Sequence, residues 1–364
     1  MDERSRTALR CRRIGAIAIA VACAVQACGP GTQTVHMDPL RFEGRRTAGG
    51  VRVDLLDPEV LFLEGVRAFD EKRPEEAASK FGLILEHFRE SRFAKPALFN
   101  RGLALLAVPR PREAAADFEA YLALHPGDPD APDAWHRLGQ SLCDAAEWAR
   151  AEAALRTRAA LPSVTLLLEV ELYARLALAL RMQGRYEEAR ETAAKVMALH
   201  DRHATLPEME GNYFVAMASF QAAEVFHDLF ARIKFVLPVE RMEKDLLDKA
   251  TLFMKAQAEY LRTMRLRNNY WGVSAGVRVG RLYEEFYDDV MNAEVPPDLS
   301  PEELEVYRDE LRRRTRPMVA KAVDAYERNI ALARMYGARD EWFGDMPARL
   351  DRLRRVLQAM PPPE

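Results

Sequence analysis

The sequence predicts an all-α fold, a helix-turn-helix solenoid with additional long C-terminal helices. Three observations predict it. Usage is rich in Ala, Leu, Arg and Glu, which favour helix. A small residue recurs at Gly65, Gly102, Gly139 and Ala177, and an alanine follows each twelve residues later, at Ala77, Ala114, Ala151 and Ala189. A period of 37 or 38 residues is the length of one helical hairpin, so the chain reads as stacked hairpins. At 364 residues, 49% apolar and 30% charged, it can bury a substantial core. Lys plus Arg is 53 against 56 Asp plus Glu, a net charge of −3, which argues against a nucleic-acid binder. Four cysteines exclude a disulfide-dense scaffold.

Residues 1–27 read as a leader. Arg4, Arg6, Arg10, Arg12 and Arg13 precede Ile14 to Ala27, an apolar run with only Gln26 polar. The run is short for a membrane span, which needs about 20 residues. Its end, Val25-Gln26-Ala27-Cys28, resembles the lipobox of bacterial lipoproteins, and the resemblance implies acylation of Cys28. Ala20-Val21-Ala22-Cys23 is a rival that would leave an apolar stretch on the mature chain. An ordinary secretory signal or an uncleaved anchor is the alternative reading. Glycine rather than aspartate after Cys28 implies, by the same resemblance, an outer-membrane anchor facing the periplasm. The chain from Cys28 carries about −6, and Cys143 then has no intramolecular disulfide partner. Residues 28–57 show no sustained period and read as a tether. Val51, Val53, Leu55 and Leu56 leave room for a cap on the first helix.

Four hairpins follow over 58–205, at about 58–94, 95–131, 132–169 and 170–206. The first carries Leu61, Gly65, Ala77, Phe81 and Ile84, and the second Leu98, Gly102, Ala114, Phe118 and Tyr121. The third carries Trp135, Leu138, Gly139, Leu142, Ala151 and Leu155, and the fourth Tyr173, Ala177, Leu180, Ala189 and Val196. Two antiparallel helices pack closely only where a small residue sits at their crossing, so each small first-helix residue is expected to face its alanine. Helical glycine costs about 1 kcal/mol relative to alanine, and the packing must exceed that.

Trp135-x-x-Leu138-Gly139-x-x-Leu142 with Ala151, Gln183-Gly184-Arg185-Tyr186-Glu187-Glu188-Ala189 and Leu124-His125-Pro126-Gly127-Asp128 resemble the tetratricopeptide repeat. The longer spacing is similar to the periplasmic lipoproteins of that family. The resemblance implies a concave partner-binding groove lined by first-helix positions. Those are Phe62, Val66 and Phe69, then Phe99, Leu103 and Leu106, then His136, Gln140, Cys143 and Asp144, then Arg175, Leu178 and Arg181. One end is apolar and the other polar, which suits an extended or helical peptide. The competing expectation is that segment 51–57 covers the apolar end.

Residues 206–360 depart from the pattern. Helices are expected over 209–237, 239–267 and 270–291, with a loop at 292–300. Ser300-Pro301-Glu302-Glu303 reads as a helix start, with a capping serine, proline in the first turn and carboxylates at the positive end of the dipole. It opens a helix over 301–336, whose Ala322, Tyr326, Asn329 and Ala333 look like a degenerate second repeat helix, and a last helix covers 342–360. Glu285-Phe286-Tyr287, Pro296 to Glu303 and Tyr326 to Asn329 are similar to tetratricopeptide lipoproteins of myxobacteria, some tied to gliding motility.

Few residues invite chemistry. Glu224-x-x-His227 has the spacing of half a di-iron site but has no second copy, so it reads as a surface pair. His200-x-x-His203 reads as a solvated turn. Cys143 lacks an adjacent base and reads as packing or a free thiol. Gly276-x-x-x-Gly280 reads as close helix packing. Arg262, Arg265, Arg267, Arg278 and Arg281, with Tyr260, Tyr270 and Trp271, form a basic aromatic stretch, read as a solvated face with buried aromatics. No catalytic residue, metal or cofactor is expected. The chain is expected to be a non-enzymatic envelope scaffold binding segments of envelope proteins, in a motility or transport complex. An outer-membrane protein assembly factor is the runner-up, and a metal or thiol enzyme a distant third.

Overall fold

The computed structural model describes residues 40–47, 50–336 and 344–361. The leader, Cys23 and Cys28 lie outside the described residues. Apart from one strand hairpin and a 3-10 turn at Pro207–Met209, the described elements are α-helices. The described residues are almost wholly α-helical, antiparallel helix pairs followed by longer C-terminal helices. The chain divides into two compact units at Ser141 and Leu142.

Unit 1 begins with strands β1 (Arg41–Thr47) and β2 (Gly50–Leu56), antiparallel with Phe42 opposite Leu55. A tether was expected here. The sequence Val51-Arg52-Val53-Asp54-Leu55 in fact alternates with period two, the signature of a strand. Leu56 is buried, and the Arg41 guanidinium lies 5.9 Å from the Phe88 ring. Helices α1 (Pro58–Asp70) and α2 (Pro74–His87) form the first pair, α3 (Ala94–Ala107) and α4 (Pro111–Leu124) the second, and α5 (Ala131–Asp144) follows. Asp57 caps α1 by accepting from the backbone N–H of Glu59 and Val60.

Gly65 and Gly102 do sit at helix crossings, but against rings. A Cβ on Gly65 would stand 2.7 Å from Phe81, and one on Gly102 would stand 2.8 Å from Phe118. Ala77 and Ala114 are fully buried beside them in sequence, yet the nearest atoms facing each glycine belong to the phenylalanine one turn further on. Gly139 and Ala151 are also buried. Not every helical glycine has this role. A Cβ on Gly82, in α2, would meet nothing closer than the Arg101 guanidinium at 3.8 Å. Gly82→Ala should therefore stabilise by about 0.5–1 kcal/mol through helix propensity, read as a raised urea midpoint.

Unit 2 contains α6 (Trp148–Ala160), α7 (Leu166–Met182), α8 (Tyr186–Arg202), α9 (Tyr213–Arg232), α10 (Val239–Arg265), α11 (Asn269–Met291), α12 (Pro301–Tyr336) and α13 (Met346–Ala359). Gly184, at φ +75°, turns the chain between α7 and α8 where L side chains are strained. The helix expected over 209–237 is shorter at both ends. Asn212 starts it by accepting from the N–H of Phe214 and Val215, and it stops at Arg232. Ser300 and Glu303 form a reciprocal capping box at α12, with N–H to side-chain oxygen distances of 3.3 and 2.9 Å. The start of the last expected helix lies outside the described residues.

Within unit 2 the C-terminal helices continue the hairpin order. α7 packs on α8, α9 on α10 and α11 on α12, while α9 also touches both α7 and α11. Three first helices thus stand side by side, and α13 closes on α12. A continuous core joins Val170, Ala177, Val196, Phe220, Tyr260 and Trp271, and a second cluster around Val319, Tyr326 and Leu353 holds α13. No described helix is long and apolar enough to cross a membrane.

Candidate partner-binding face

In unit 1 the expected groove residues are half-buried on α1 and α3: Phe62, Val66, Phe69, Phe99, Leu103 and Leu106. Two of them are committed to packing. The Phe62 ring lies 5.6 Å from Phe81 and 5.4 Å from Phe93, and Phe99 lies 5.5 Å from Phe118 and 5.4 Å from Tyr121. Aromatic pairs at these separations favour tilted or edge contacts, as here. Val66, Phe69, Leu103 and Leu106 complete the half-exposed apolar set. On α5, His136 is buried and Gln140 half-buried, accepting from Arg137 at 3.0 Å.

In unit 2 the polar end of the expected groove is largely occupied. Cys143 is buried, and burial pushes its thiol up to about 12, which disfavours the reactive thiolate. Asp144 is exposed, 4.0 Å from Arg175. Arg175 is mostly buried, donates to Glu171 at 2.8 Å and lies 5.2 Å from the Phe214 ring. Arg181 donates to Gln221 at 2.9 Å and to Asp228 at 2.8 Å. Both arginines therefore join α7 to its neighbours instead of lining an open surface. Leu178 packs against the main core.

Glu224 and His227 were expected at a helix surface, and the structure buries both. α9 is apolar nearly all round, so any ionised group on it must be paired. Arg278 of α11 binds both Glu224 carboxylate oxygens, with Nε at 2.5 Å. Tyr260 of α10 donates its hydroxyl hydrogen to Glu224 at 2.5 Å. His227 places Nδ1 2.8 Å from the Tyr260 hydroxyl and Nε2 2.9 Å from Glu285. Burial pushes the Glu224 carboxyl up, but the Arg278 hydrogen bonds and the charges of Arg278, Arg181 and His227 outweigh it and hold the carboxyl at about 2. Burial likewise opposes ionisation of Glu285, and the His227 hydrogen bond overcomes it. An arginine stands where a metal would need further carboxylates. Among the described residues no cluster of His, Cys, Asp or Glu could hold a metal ion.

Two related networks fasten the rest. Lys249, fully buried, donates to the carbonyls of Phe230 (2.8 Å) and Ile233 (2.9 Å) and lies 2.7 Å from Asp289. Its cation meets the unsatisfied end of α9, where the dipole is negative. Glu284 of α11 accepts from Tyr326 at 2.6 Å, Arg349 at 3.0 Å and Arg352 at 2.7 Å, which ties α13 down. The basic aromatic stretch is thus divided. Tyr260 and Trp271 are buried, and Arg278 and Arg281 turn inward, Arg281 to Asp345 at 2.9 Å. His200 pairs with Asp201 at 3.1 Å at the end of α8.

Comparison with known proteins assigns this chain to no family. No family model matches the chain, and no curated protein does. Solved structures resemble it at low identity. The C-terminal part of a TPR repeat-containing protein from Cytophaga hutchinsonii shares 11% identity, with TM-score 0.44, over 83% of this chain and 96% of that one. A tetratricopeptide repeat protein from Parabacteroides merdae shares 11%, with TM-score 0.39, over 83% and 97%. A structure of MamA shares 15%, with TM-score 0.37, over 55% and 96%. At such identities and scores none of them lends this chain a partner or an activity.

Proposed function

We propose that the chain is a non-enzymatic interaction scaffold of the cell envelope that binds peptide segments of other envelope proteins along its first helices. The observation that carries this reading is the half-exposed apolar set on α1 and α3, Val66, Phe69, Leu103 and Leu106, presented by a pair of packed hairpins. The groups that could do chemistry support it from the other side. Cys143 is sealed, and Glu224 and His227 are saturated by Arg278, Tyr260 and Glu285. The lipobox-like Val25-Gln26-Ala27-Cys28 supports a lipid anchor at the outer membrane, facing the periplasm. A motility or transport complex is the setting we favour among envelope assemblies.

The test is in-cell photocrosslinking from Val66 and Leu103. Expected is a small set of adducts with envelope proteins, lost in Phe69→Glu. Abundant adducts with barrel precursors would favour an assembly factor instead, and no protein adduct from either position would reject the groove. Cys28→Ser should release the protein from membranes, as read by fractionation.

A further inference from the structure

The solvent face of α10 is unlike the other second helices. On α8 the exposed positions carry Glu187, Arg190, Glu191 and Lys195. On α10 one line of exposed positions carries Leu247, Thr251, Met254, Ala258 and Leu261, beside the exposed charges Arg241, Glu243, Lys244, Asp248, Lys255 and Arg265. Leu247 is 69% exposed, Met254 68% and Leu261 39%. Their spacing alternates four and three residues, the heptad spacing of a coiled-coil seam, over about 21 Å of helix. α10 has already used a different face for the core, at Lys249, Ala256, Tyr260 and Thr263. The stripe is therefore a second apolar face, with no partner among the described residues.

We propose that a second copy of this chain docks there, α10 against α10, antiparallel about Met254. The charges beside the seam select this occupant and orientation. In the first half of the helix Glu240, Glu243, Asp245 and Asp248 outnumber the accessible cations Arg241 and Lys244, and in the second half Lys255, Arg262 and Arg265 outnumber Glu259. In an antiparallel pair Leu247 faces Leu261 of the second copy, Asp248 meets Arg262, and Glu243 meets Arg265, each twice by symmetry. A parallel pair would bring halves of like excess charge together. Within the chain Arg262 has only loose ion pairs, 3.9 Å to Glu259 and to Asp201, so it is available for a closer one. Lys255, next to the axis, is drawn away to the Phe226 ring of its own chain at 5.7 Å.

Sedimentation equilibrium of the full chain in mild detergent tests this. Expected is a monomer–dimer equilibrium whose dissociation constant rises about tenfold or more in Met254→Glu, which buries two carboxylates at the axis. Asp248→Arg should also weaken it, and Asp248→Arg with Arg262→Asp should restore it. These side chains are solvent-facing, so circular dichroism spectra, and thermal midpoints measured at concentrations below the dissociation constant, should be unchanged and a loss of dimer is not a loss of fold. A chain that stays monomeric overturns the proposal. So does a dimer indifferent to Met254→Glu, or a charge reversal that the second change does not rescue. A monomer whose Leu247–Leu261 amides are strongly protected from exchange would assign the stripe to another segment of the same chain and equally overturn it.

Discussion

Glu224→Ala is expected to destabilise unit 2 by about 3 kcal/mol, the scale of breaking a buried ion pair from one side. The loss is not that of one contact. Glu224 accepts from Arg278 and Tyr260 and lies 3.4 Å from Arg181, groups drawn from three other helices. Removing it leaves a buried hydroxyl without its acceptor and the mostly buried Arg278 guanidinium without its main counter-charge, while Arg181 keeps Asp228 at 2.8 Å. Replacing both sides of the central pair, Glu224→Gln with Arg278→Met, should cost less than the sum of the single changes. Hydrogen exchange would locate the effect: amides of α9, α10 and α11 should open sooner, with those of α1 to α4 unaffected.

The same carboxyl gives a pH signature. Its folded value is held at about 2, against 4.5 for an unpaired glutamate. A depressed carboxyl contributes stability that is fully present above the unfolded value and is lost as pH falls through the folded one. Wild-type stability should therefore decline between about pH 4.5 and 2, with roughly 3 kcal/mol of that fall due to this group. Glu285, also depressed, adds in the same direction. In Glu224→Gln the slope over that range should flatten, as measured by urea unfolding at stepped pH. An unchanged slope would mean that the network does not hold the carboxylate ionised.

How much of this was legible in the sequence follows from what each signal depends on. The hairpins were legible because a recurring small residue fixes helix crossings locally, and Gly65 and Gly102 do sit at them. The partner of each glycine was misjudged by one turn. Spacing identified Ala77 and Ala114, but a side chain reaches back along its helix, and it is the ring of Phe81 or Phe118 that fills the space. The strand hairpin was missed because its alternation spans only five residues. The ion network was the least legible part. Glu224, Tyr260, Arg278 and Glu285 are far apart in sequence, and only stacking brings them together. One signal could have found them: Glu224 and His227, in a helix whose other residues are mostly apolar, demand buried partners. The expected groove arginines failed for the complementary reason. Position alone assigned Arg175 and Arg181 to a surface, whereas nearby carboxylates on α7 and α9 draw them inward.

Gly280→Leu is expected to destabilise by about 3 kcal/mol or more, because the hairpin principle extends into the C-terminal helices. A Cβ at Gly280 would stand 2.7 Å from the Tyr326 ring, and one at Gly276 would stand 2.1 Å from the Asn329 amide oxygen. Neither neighbour can step aside. Tyr326 is fully buried and its hydroxyl donates to Glu284, while the Asn329 amide donates to the carbonyl of Ala325 at 2.6 Å. Displacing Tyr326 would also remove one donor from the carboxylate that anchors Arg349 and Arg352, so the packing fault should loosen α13 as well. The cause can be separated from a general dislike of leucine in α11. Tyr326→Ala alone should cost about 3–5 kcal/mol by leaving a cavity. Combined with Gly280→Leu, the new side chain occupies part of that cavity, so the double variant should be more stable than the sum of the two losses predicts. Strict additivity, measured by urea unfolding of all four proteins, would show that the two side chains do not share the space and that the glycine is not there to admit the ring.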